Sequence, residues 1–261
     1  MIRFCTLFSS SSGNSVFLSD GKTSILIDAG VSAAKITNAL GIIGVNIADI
    51  DGIFVTHEHS DHTSGINVLS RKYGINVYAN EATLGKMHQA LSGVSVSCIH
   101  EIATGESIDV GSLTVRPFKI PHDAIAPVGY TIIADGRKFA VATDTGCITK
   151  PMLSNLANTE AVVIESNHDE EMLLNGTYPY ILKKRILSDN GHLSNEKCAW
   201  LATQLAIWGT KHIVLGHLSE NNNTIEKAYS VTKNKLCENN FEIGKDITLT
   251  VAQKSEITEI I

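Results

Sequence analysis

Three histidines and two carboxylates lie within six residues, directly after a short apolar run that is typical of a strand. Residues 56–63 read T-H-E-H-S-D-H-T, and the apolar run before them starts at Gly52. Core packing does not call for such a density of ionisable groups, whereas imidazole nitrogen and carboxylate oxygen are ligands that suit Zn²⁺, Mn²⁺ and Fe²⁺. A turn that leaves a strand can aim alternate residues at one point. We therefore predict a ligand set for two metal ions at the end of a strand.

Around this segment, short runs rich in β-branched residues alternate with polar turns and with stretches of helical spacing. No long linker or fixed-period repeat divides the chain, so two packed sheets with helices outside are the most economical arrangement. We expect an α/β (α+β) fold, a four-layer αββα sandwich, in a single domain over residues 1–261. The predicted strands are Ile2–Phe8, Val16–Ser19, Ser24–Asp28, Gly52–Thr56, Ser107–Val110, Leu113–Phe118, Gly129–Ala134, Lys138–Thr143, Ala161–Glu165 and His212–Leu215. The predicted helices are Ala33–Leu40, Thr63–Tyr73, Glu81–Leu91 and one that Ser194 caps and Gly209 ends.

Length and composition limit the class of protein. The chain has 261 residues, 43% of them hydrophobic, which is enough for a substantial core without disulfides. Its five cysteines are scattered and never form a C-x-x-C pair, so we expect reduced thiols in a cytoplasm. Neither a signal peptide nor a membrane-spanning run is predicted. A formal charge of −6 argues against a broad basic surface, but not against a locally positive cleft.

The segment His57-x-His59-x-Asp61-His62 after an apolar strand resembles the signature of the metallo-β-lactamase superfamily. Further segments, spread over nearly the whole chain, resemble the bacterial WalJ/YycJ (VicX) family within it. These segments are Ser11–Ser15, Ile25–Gly30, Pro121–Ala124, Thr143–Gly146, Glu165–Asp169, Gly191–Asn195 and Gly216–Asn222. The resemblance implies the same αββα sandwich that the strand and helix pattern predicts.

The resemblance also implies a role for each candidate ligand. One metal would be held by His57, His59 and His122, a second by Asp61, His62 and His217, with Asp144 bridging both. The later residues of this set each follow a predicted strand, where loops can converge on one edge of a sandwich. Asp28 closes a strand, and in the superfamily this residue supports the metal-binding loop instead of binding metal. The ligand types accept Zn²⁺, Mn²⁺ and Fe²⁺ alike, so two divalent ions of unspecified identity are expected.

Three residues are expected to take part in catalysis. By resemblance, Asp61 both binds metal and takes a proton from the attacking water. Resemblance to tRNase Z-like phosphodiesterases implies that Glu165 orients His192, whose protonated ring contacts the phosphate or assists the leaving oxygen. His192 also precedes the predicted helix that Ser194 caps, a position that favours an anion. The serine-rich turn Ser9–Ser15 offers a weaker phosphate contact.

The leading hypothesis is a phosphodiesterase that hydrolyses its substrate with water activated between two metals. The resemblance implies a 5′→3′ exonuclease acting on DNA, with RNA and small phosphodiesters left open as substrates. Only the run Lys183–Arg185 forms a basic cluster upstream of His192; if it lines the cleft, binding should weaken with salt. The alternative is a lactone, ester or β-lactam hydrolase on the same metals, for which His192 would matter much less. A regulatory binding module is a third reading, and no membrane partner is expected.

Overall fold

Two seven-stranded sheets form the centre of the protein in the computed structural model, which describes residues 1–259 and 261. In chain order the first sheet contains β1 Arg3–Phe8, β2 Ser15–Ser19, β3 Ser24–Ile27, β4 Gly52–Phe54, β5 Asn76–Ala79, β6 Ile99–Glu101 and β14 Thr258–Glu259. The second contains β7 Ile108–Val110, β8 Leu113–Lys119, β9 Val128–Ala134, β10 Arg137–Ala142, β11 Ala161–Glu165, β12 His212–Gly216 and β13 Thr248–Val251.

Each sheet has an antiparallel part and a parallel part. The first is ordered β14-β1-β2-β3-β4-β5-β6 and is parallel from β3 to β6. The second is ordered β13-β12-β11-β10-β9-β8-β7 and is parallel from β10 to β13. Because β8 and β10 are both antiparallel to β9, they run in the same direction and end at the same edge.

Helices cover the outer face of both sheets. They are α1 Ala33–Ile42, α2 Ser60–Thr63, α3 Ile66–Tyr73, α4 Glu81–Lys86, α5 Lys150–Leu156, α6 Glu170–Asn175, α7 Tyr180–Ile186, α8 Asn195–Ile207 and α9 Ile225–Glu238. The predicted caps of α8 are confirmed: the Ser194 side chain accepts a hydrogen bond from Lys197 N, and Gly209 follows the helix with a φ of 92°. Within the described residues, no helix is long and apolar enough to cross a membrane.

Three clusters of buried side chains fill the three spaces between the four layers. Alternate residues of a strand enter different clusters: Ile25 and Ile27 of β3 face the second sheet, whereas Leu26 packs toward α1 and α3. In the second sheet, Val163 of β11 faces the first sheet, and its neighbour Val162 packs toward α5, α8 and α9. The expected αββα sandwich is therefore confirmed.

Two predicted helices have different bounds in the structure. The predicted helix Thr63–Tyr73 is interrupted at Gly65, whose N–H donates to the Ala29 carbonyl oxygen at 2.8 Å, outside the helix, so α2 and α3 are separate. The predicted helix Glu81–Leu91 ends at Lys86 because the next residue, Met87, is buried in the core and the chain continues in turns. Strands β5, β6, β13 and β14 and helices α5, α6, α7 and α9 have no counterpart in the prediction.

Candidate metal centre

The predicted ligands come together where the strands of both sheets end. Asp28 follows β3, His57 follows β4, Asp144 follows β10 and His217 follows β12, each at the carboxyl end of a parallel strand. Three of them adopt left-handed backbone angles that only glycine accepts easily, with φ of 62° at Asp28, 58° at Asp144 and 57° at His217. Such positions cost about 1–3 kcal/mol and cluster at functional sites. The sequence carried no signal for this strain.

The first group of ligand atoms belongs to His57, His59 and His122, whose nearest nitrogens all lie within 4.8 Å of one another. His57 Nε2 and His59 Nδ1 are 3.0 Å apart. Two of these rings are held through their other nitrogen: His57 Nδ1 lies 3.0 Å from Thr56 Oγ1, and His122 Nδ1 lies 3.2 Å from the Gly191 carbonyl oxygen. Because Nδ1 of His57 and of His122 contacts a fixed oxygen atom, Nε2 of each of these two rings is available to bind a metal.

The second group comprises Asp61, His62 and His217, again within 4.8 Å. Oδ2 of Asp61 lies 3.5 Å from His62 Nε2 and 3.8 Å from His217 Nε2. Both histidines are almost fully buried, whereas the Asp61 side chain keeps 23% of its surface exposed. Asp61 is therefore the member of this group that solvent or a substrate can reach.

Asp144 lies between the two groups. Its Oδ2 is 3.2 Å from His62 Nε2, while its Oδ1 is 3.4 Å from His217 Nε2 and 3.7 Å from His122 Nε2. One buried carboxylate thus faces ligands of both groups. This is the geometry that a bridging ligand requires.

Asp28 contacts one candidate ligand, His62, and belongs to none of the ligand groups described above. Its Oδ2 lies 2.7 Å from His62 Nδ1, and its two oxygens accept hydrogen bonds of 2.8 Å from the Thr56 backbone N–H and hydroxyl. The carboxylate therefore fixes the His62 ring and the start of the histidine-rich loop at the same time. Burial raises the pKa of Asp28, although the neighbouring His62 opposes this effect.

The turn Ser9–Ser15, predicted as a weak phosphate contact, lies against the candidate ligands at Asn14 and at Ser9. Nδ2 of Asn14 lies 3.2 Å from His62 Nε2, and the Asn14 N–H donates to the Asp61 carbonyl oxygen at 2.9 Å. The hydroxyl of Ser9 accepts a 2.8 Å hydrogen bond from the His217 N–H. The turn therefore supports the ligand loops directly.

Glu165 holds two histidines, of which the sequence analysis anticipated one. Its Oε1 lies 2.8 Å from His192 Nδ1 and 2.7 Å from His217 Nδ1. Burial disfavours the charged carboxylate, but the two imidazoles outweigh it and lower the pKa of Glu165 to about 2. Burial likewise opposes protonation of His192, yet the Glu165 carboxylate raises the pKa of this ring. The pair therefore favours a protonated imidazole, with 19% of the His192 side chain exposed.

The buried carboxylates of the centre favour positive charge beside them. Burial opposes the protonation of His217, but Asp144, Asp61 and Glu165 together raise its pKa to about 10. His217 Nε2 and Asp144 Oδ2 are buried without a hydrogen-bond partner anywhere in residues 1–259 and 261. Unpartnered buried polar atoms of this kind are costly unless a cation satisfies them. The donor set of nitrogen and carboxylate oxygen fits divalent metals such as Zn²⁺.

A cavity of about 560 Å³ lies beside the first histidine group, and its lining includes His122, Lys119 and Asn190. Glu58, to which the sequence analysis gave no role, accepts a 3.0 Å hydrogen bond from the Ile125 N–H and so connects the histidine-rich loop to the cavity wall. A signal for this contact is absent from the sequence because the two segments meet only in the folded chain.

Two curated relatives align with almost the whole chain. Exodeoxyribonuclease WalJ of Streptococcus pneumoniae serotype 2 is 42% identical over 246 residues, which cover 94% of this chain and 91% of that protein. Exodeoxyribonuclease YycJ of Bacillus anthracis is 40% identical over 245 residues, with 94% and 92% covered.

Residues 23–218 match the family model described as a Beta-lactamase superfamily domain. Among solved structures, the metallo-β-lactamase fold protein YhfI from Bacillus subtilis superimposes with a TM-score of 0.73 over 99% of both chains, at 15% identity, which is a likeness of fold. The matched range contains all of the residues grouped above as candidate ligands. The chain therefore belongs to the β-lactamase superfamily and, within it, to the family of the exodeoxyribonucleases WalJ and YycJ.

Proposed function

We propose that this protein is a metal-dependent phosphodiesterase that acts as an exonuclease on DNA. The observation that carries the proposal is the Glu165–His192 pair, whose hydrogen bond of 2.8 Å lies beside the grouped metal ligands. A cationic imidazole next to a metal centre suits a substrate that carries negative charge on its non-bridging oxygens. The names of the two relatives that align with most of the chain support the same substrate class.

Two metal ions would be held by residues of this chain. We assign the first to the group His57, His59 and His122, the second to Asp61, His62 and His217, and the bridging position to Asp144. Divalent cations there would supply Lewis-acid stabilisation of a phosphoryl oxygen and would make a bound water more acidic.

Asp61 is the proposed proton acceptor for the attacking water. Burial disfavours its charged form, but the imidazoles of His217 and His62, 3.8 and 3.5 Å from its Oδ2, hold the pKa of Asp61 far below its usual range, so the group is anionic at neutral pH. Its partial exposure gives it access to the substrate side of the centre. His192, held protonated by Glu165, is proposed to bind a phosphoryl oxygen and to donate a proton toward the leaving oxygen.

Two further predictions of the sequence remain proposals. We assign residues 1–261 to one domain, which is supported by a core that both sheets share. A reducing cytoplasm is the location that the scattered cysteines favour.

The test follows shortening of 5′-phosphorylated, 3′-labelled single- and double-stranded DNA by protein reconstituted separately with Mn²⁺ and with Zn²⁺. We expect shortening from the 5′ end, with Asp61→Ala inactive and His192→Ala reduced by about 10²–10⁴-fold, the usual contribution of a general acid. His88→Ala serves as the matched control, because His88 is exposed and belongs to none of the ligand groups. No shortening by protein that holds about two metals per chain would refute the exonuclease assignment.

A further inference from the structure

Helix α7 presents an apolar and basic surface that the metal centre does not use. Tyr180 is 78% exposed, Ile181 is 82% exposed, and Leu174 at the end of α6 is 58% exposed. Leu174 and Tyr180, together with the lysines of the same helix, border an open groove of about 490 Å³, here called the α7 groove. Its lining residues are Leu174, Tyr180, Lys183, Lys184, Leu187 and Ser188. Exposed aromatic and aliphatic side chains concentrated in one place indicate a binding surface.

The α7 groove is connected to the centre through the backbone. The His192 N–H donates a 2.9 Å hydrogen bond to the carbonyl oxygen of Ile186, the last residue of α7. Arg185 forms an ion pair with Asp123, whose Oδ1 is also 3.2 Å from His122 Nε2. The carboxyl-terminal end of α7 therefore lies next to the proton donor proposed above. At a rise of 1.5 Å per residue, Tyr180 lies about 9 Å farther along the helix.

The charge of the groove favours a polyanion. Lys183 and Lys184 lie on the groove, although the whole chain carries a formal charge of −6. The Lys183 ammonium donates to the Leu174 carbonyl oxygen at 2.6 Å, which fixes it at the apolar rim, and Lys184 is exposed. A purely apolar partner would not need these cations. Basic side chains next to an exposed aromatic ring are instead the combination that binds single-stranded nucleic acid, phosphates on one and bases on the other.

We propose that the α7 groove binds the nucleic-acid strand beyond the scissile phosphate, with Tyr180 stacked on a base and Lys184 beside a phosphate. The inference rests on the proposed exonuclease function, because it assigns the path of that same substrate. The distance of about 9 Å between Ile186 and Tyr180 alone corresponds to roughly three nucleotides at about 3.4 Å each, so Tyr180 would contact a base at least that far from the scissile phosphate. Substrates shorter than this should not reach Tyr180.

The experiment compares two substrates of the metal-loaded protein: a labelled ten-nucleotide single strand and bis(p-nitrophenyl) phosphate, which is too small to reach the groove. For Tyr180→Ala we expect KM on the oligonucleotide to rise about 5- to 150-fold, the measured range for loss of one stacked base, with hydrolysis of the small diester unchanged. Tyr180→Phe, which keeps the ring, should behave like the wild type. A dinucleotide should show no effect of either substitution.

Lys184→Gln tests the phosphate contact separately. We expect the slope of log KM against log salt for the oligonucleotide to fall by about 0.7, the value for one phosphate contact on a single strand. Lys211→Gln is the matched control, since Lys211 is exposed and immediately precedes β12, at the end of that strand opposite His217.

Each outcome distinguishes the groove from the function. Wild-type protein that hydrolyses neither substrate refutes the exonuclease function itself. Wild-type activity on both substrates, with Tyr180→Ala and Lys184→Gln unchanged on the oligonucleotide, overturns the groove assignment alone. Equal loss on both substrates also overturns it, because the residue would then act on the centre. A concentration-dependent dimer that Tyr180→Ala dissolves, with oligonucleotide KM unchanged, would assign the groove to a second copy of the chain instead.

Discussion

Replacement of Glu165 by glutamine should weaken both the fold and the metal centre. The Glu165 carboxylate is completely buried and accepts hydrogen bonds from His192 Nδ1, His217 Nδ1, Thr145 N–H and Leu193 N–H at 2.8, 2.7, 2.7 and 3.3 Å. Glutamine keeps the volume, but it removes the charge and turns one acceptor into a donor that faces other N–H groups. Loss of one partner of a buried ionic pair costs about 3–5 kcal/mol, a large part of the 5–15 kcal/mol that stabilises a typical domain.

The assay is urea unfolding of the metal-free protein, followed by circular dichroism, with metal affinity measured on the folded protein. We expect Glu165→Gln to lower the free energy of unfolding by about 3–5 kcal/mol and metal affinity by about 10–100-fold. Glu160→Gln is the matched control: Glu160 pairs with Arg137 at 2.8 Å on a half-exposed surface, where such pairs contribute at most about 1 kcal/mol. A Glu165→Gln protein no less stable than Glu160→Gln would refute the reasoning.

Three further predictions concern the loops, pH and metal. Gly30→Ala should strongly lower the free energy of unfolding in urea, because a Cβ atom would lie 1.6 Å from the Asp61 carbonyl oxygen. Gly85→Ala, in open space on α4, should instead raise the free energy of unfolding by about 0.5–1 kcal/mol. Equal stability of the two variants would contradict the close approach at Gly30. Hydrogen bonds from Ser112 and backbone N–H groups outweigh burial and lower the pKa of Asp20. The Asp20 carboxylate therefore stabilises the fold fully above its ordinary pKa of 3.8, and this stabilisation is lost as pH falls below that value. The difference in unfolding free energy between wild type and Asp20→Asn should shrink in acid, and a constant difference would argue against this contact. Removal of metal by a chelator should lower Tm, and readdition of metal at a hundred times its Kd should raise the free energy of unfolding by about 2.7 kcal/mol. A Tm that is unchanged by chelator would contradict a resident metal.

Local signals account for the parts of the fold that were predicted well. Helix α8 combines an N-cap at Ser194 with a glycine after its end, and β11 is an unbroken apolar run, so both could be assigned without tertiary information. Helix α7 and strand β5 lack such signals. Seven residues of helix have no stability of their own, and β5 is formed because β4 and β6 lie on either side of it.

The expectation of a metal-binding centre follows from local sequence alone, because the histidines and carboxylates of residues 57–62 are dense, contiguous and chemically specific. The sequence also carried the αββα architecture in the order of its apolar runs. Two contacts emerge only in the folded chain: Glu165 holds the imidazoles of both His192 and His217, and Glu58 reaches the wall of the cavity beside His122. These contacts join residues that are far apart in the chain. Their distances depend on the loops that converge where the strands of both sheets end, and no local sequence pattern encodes them.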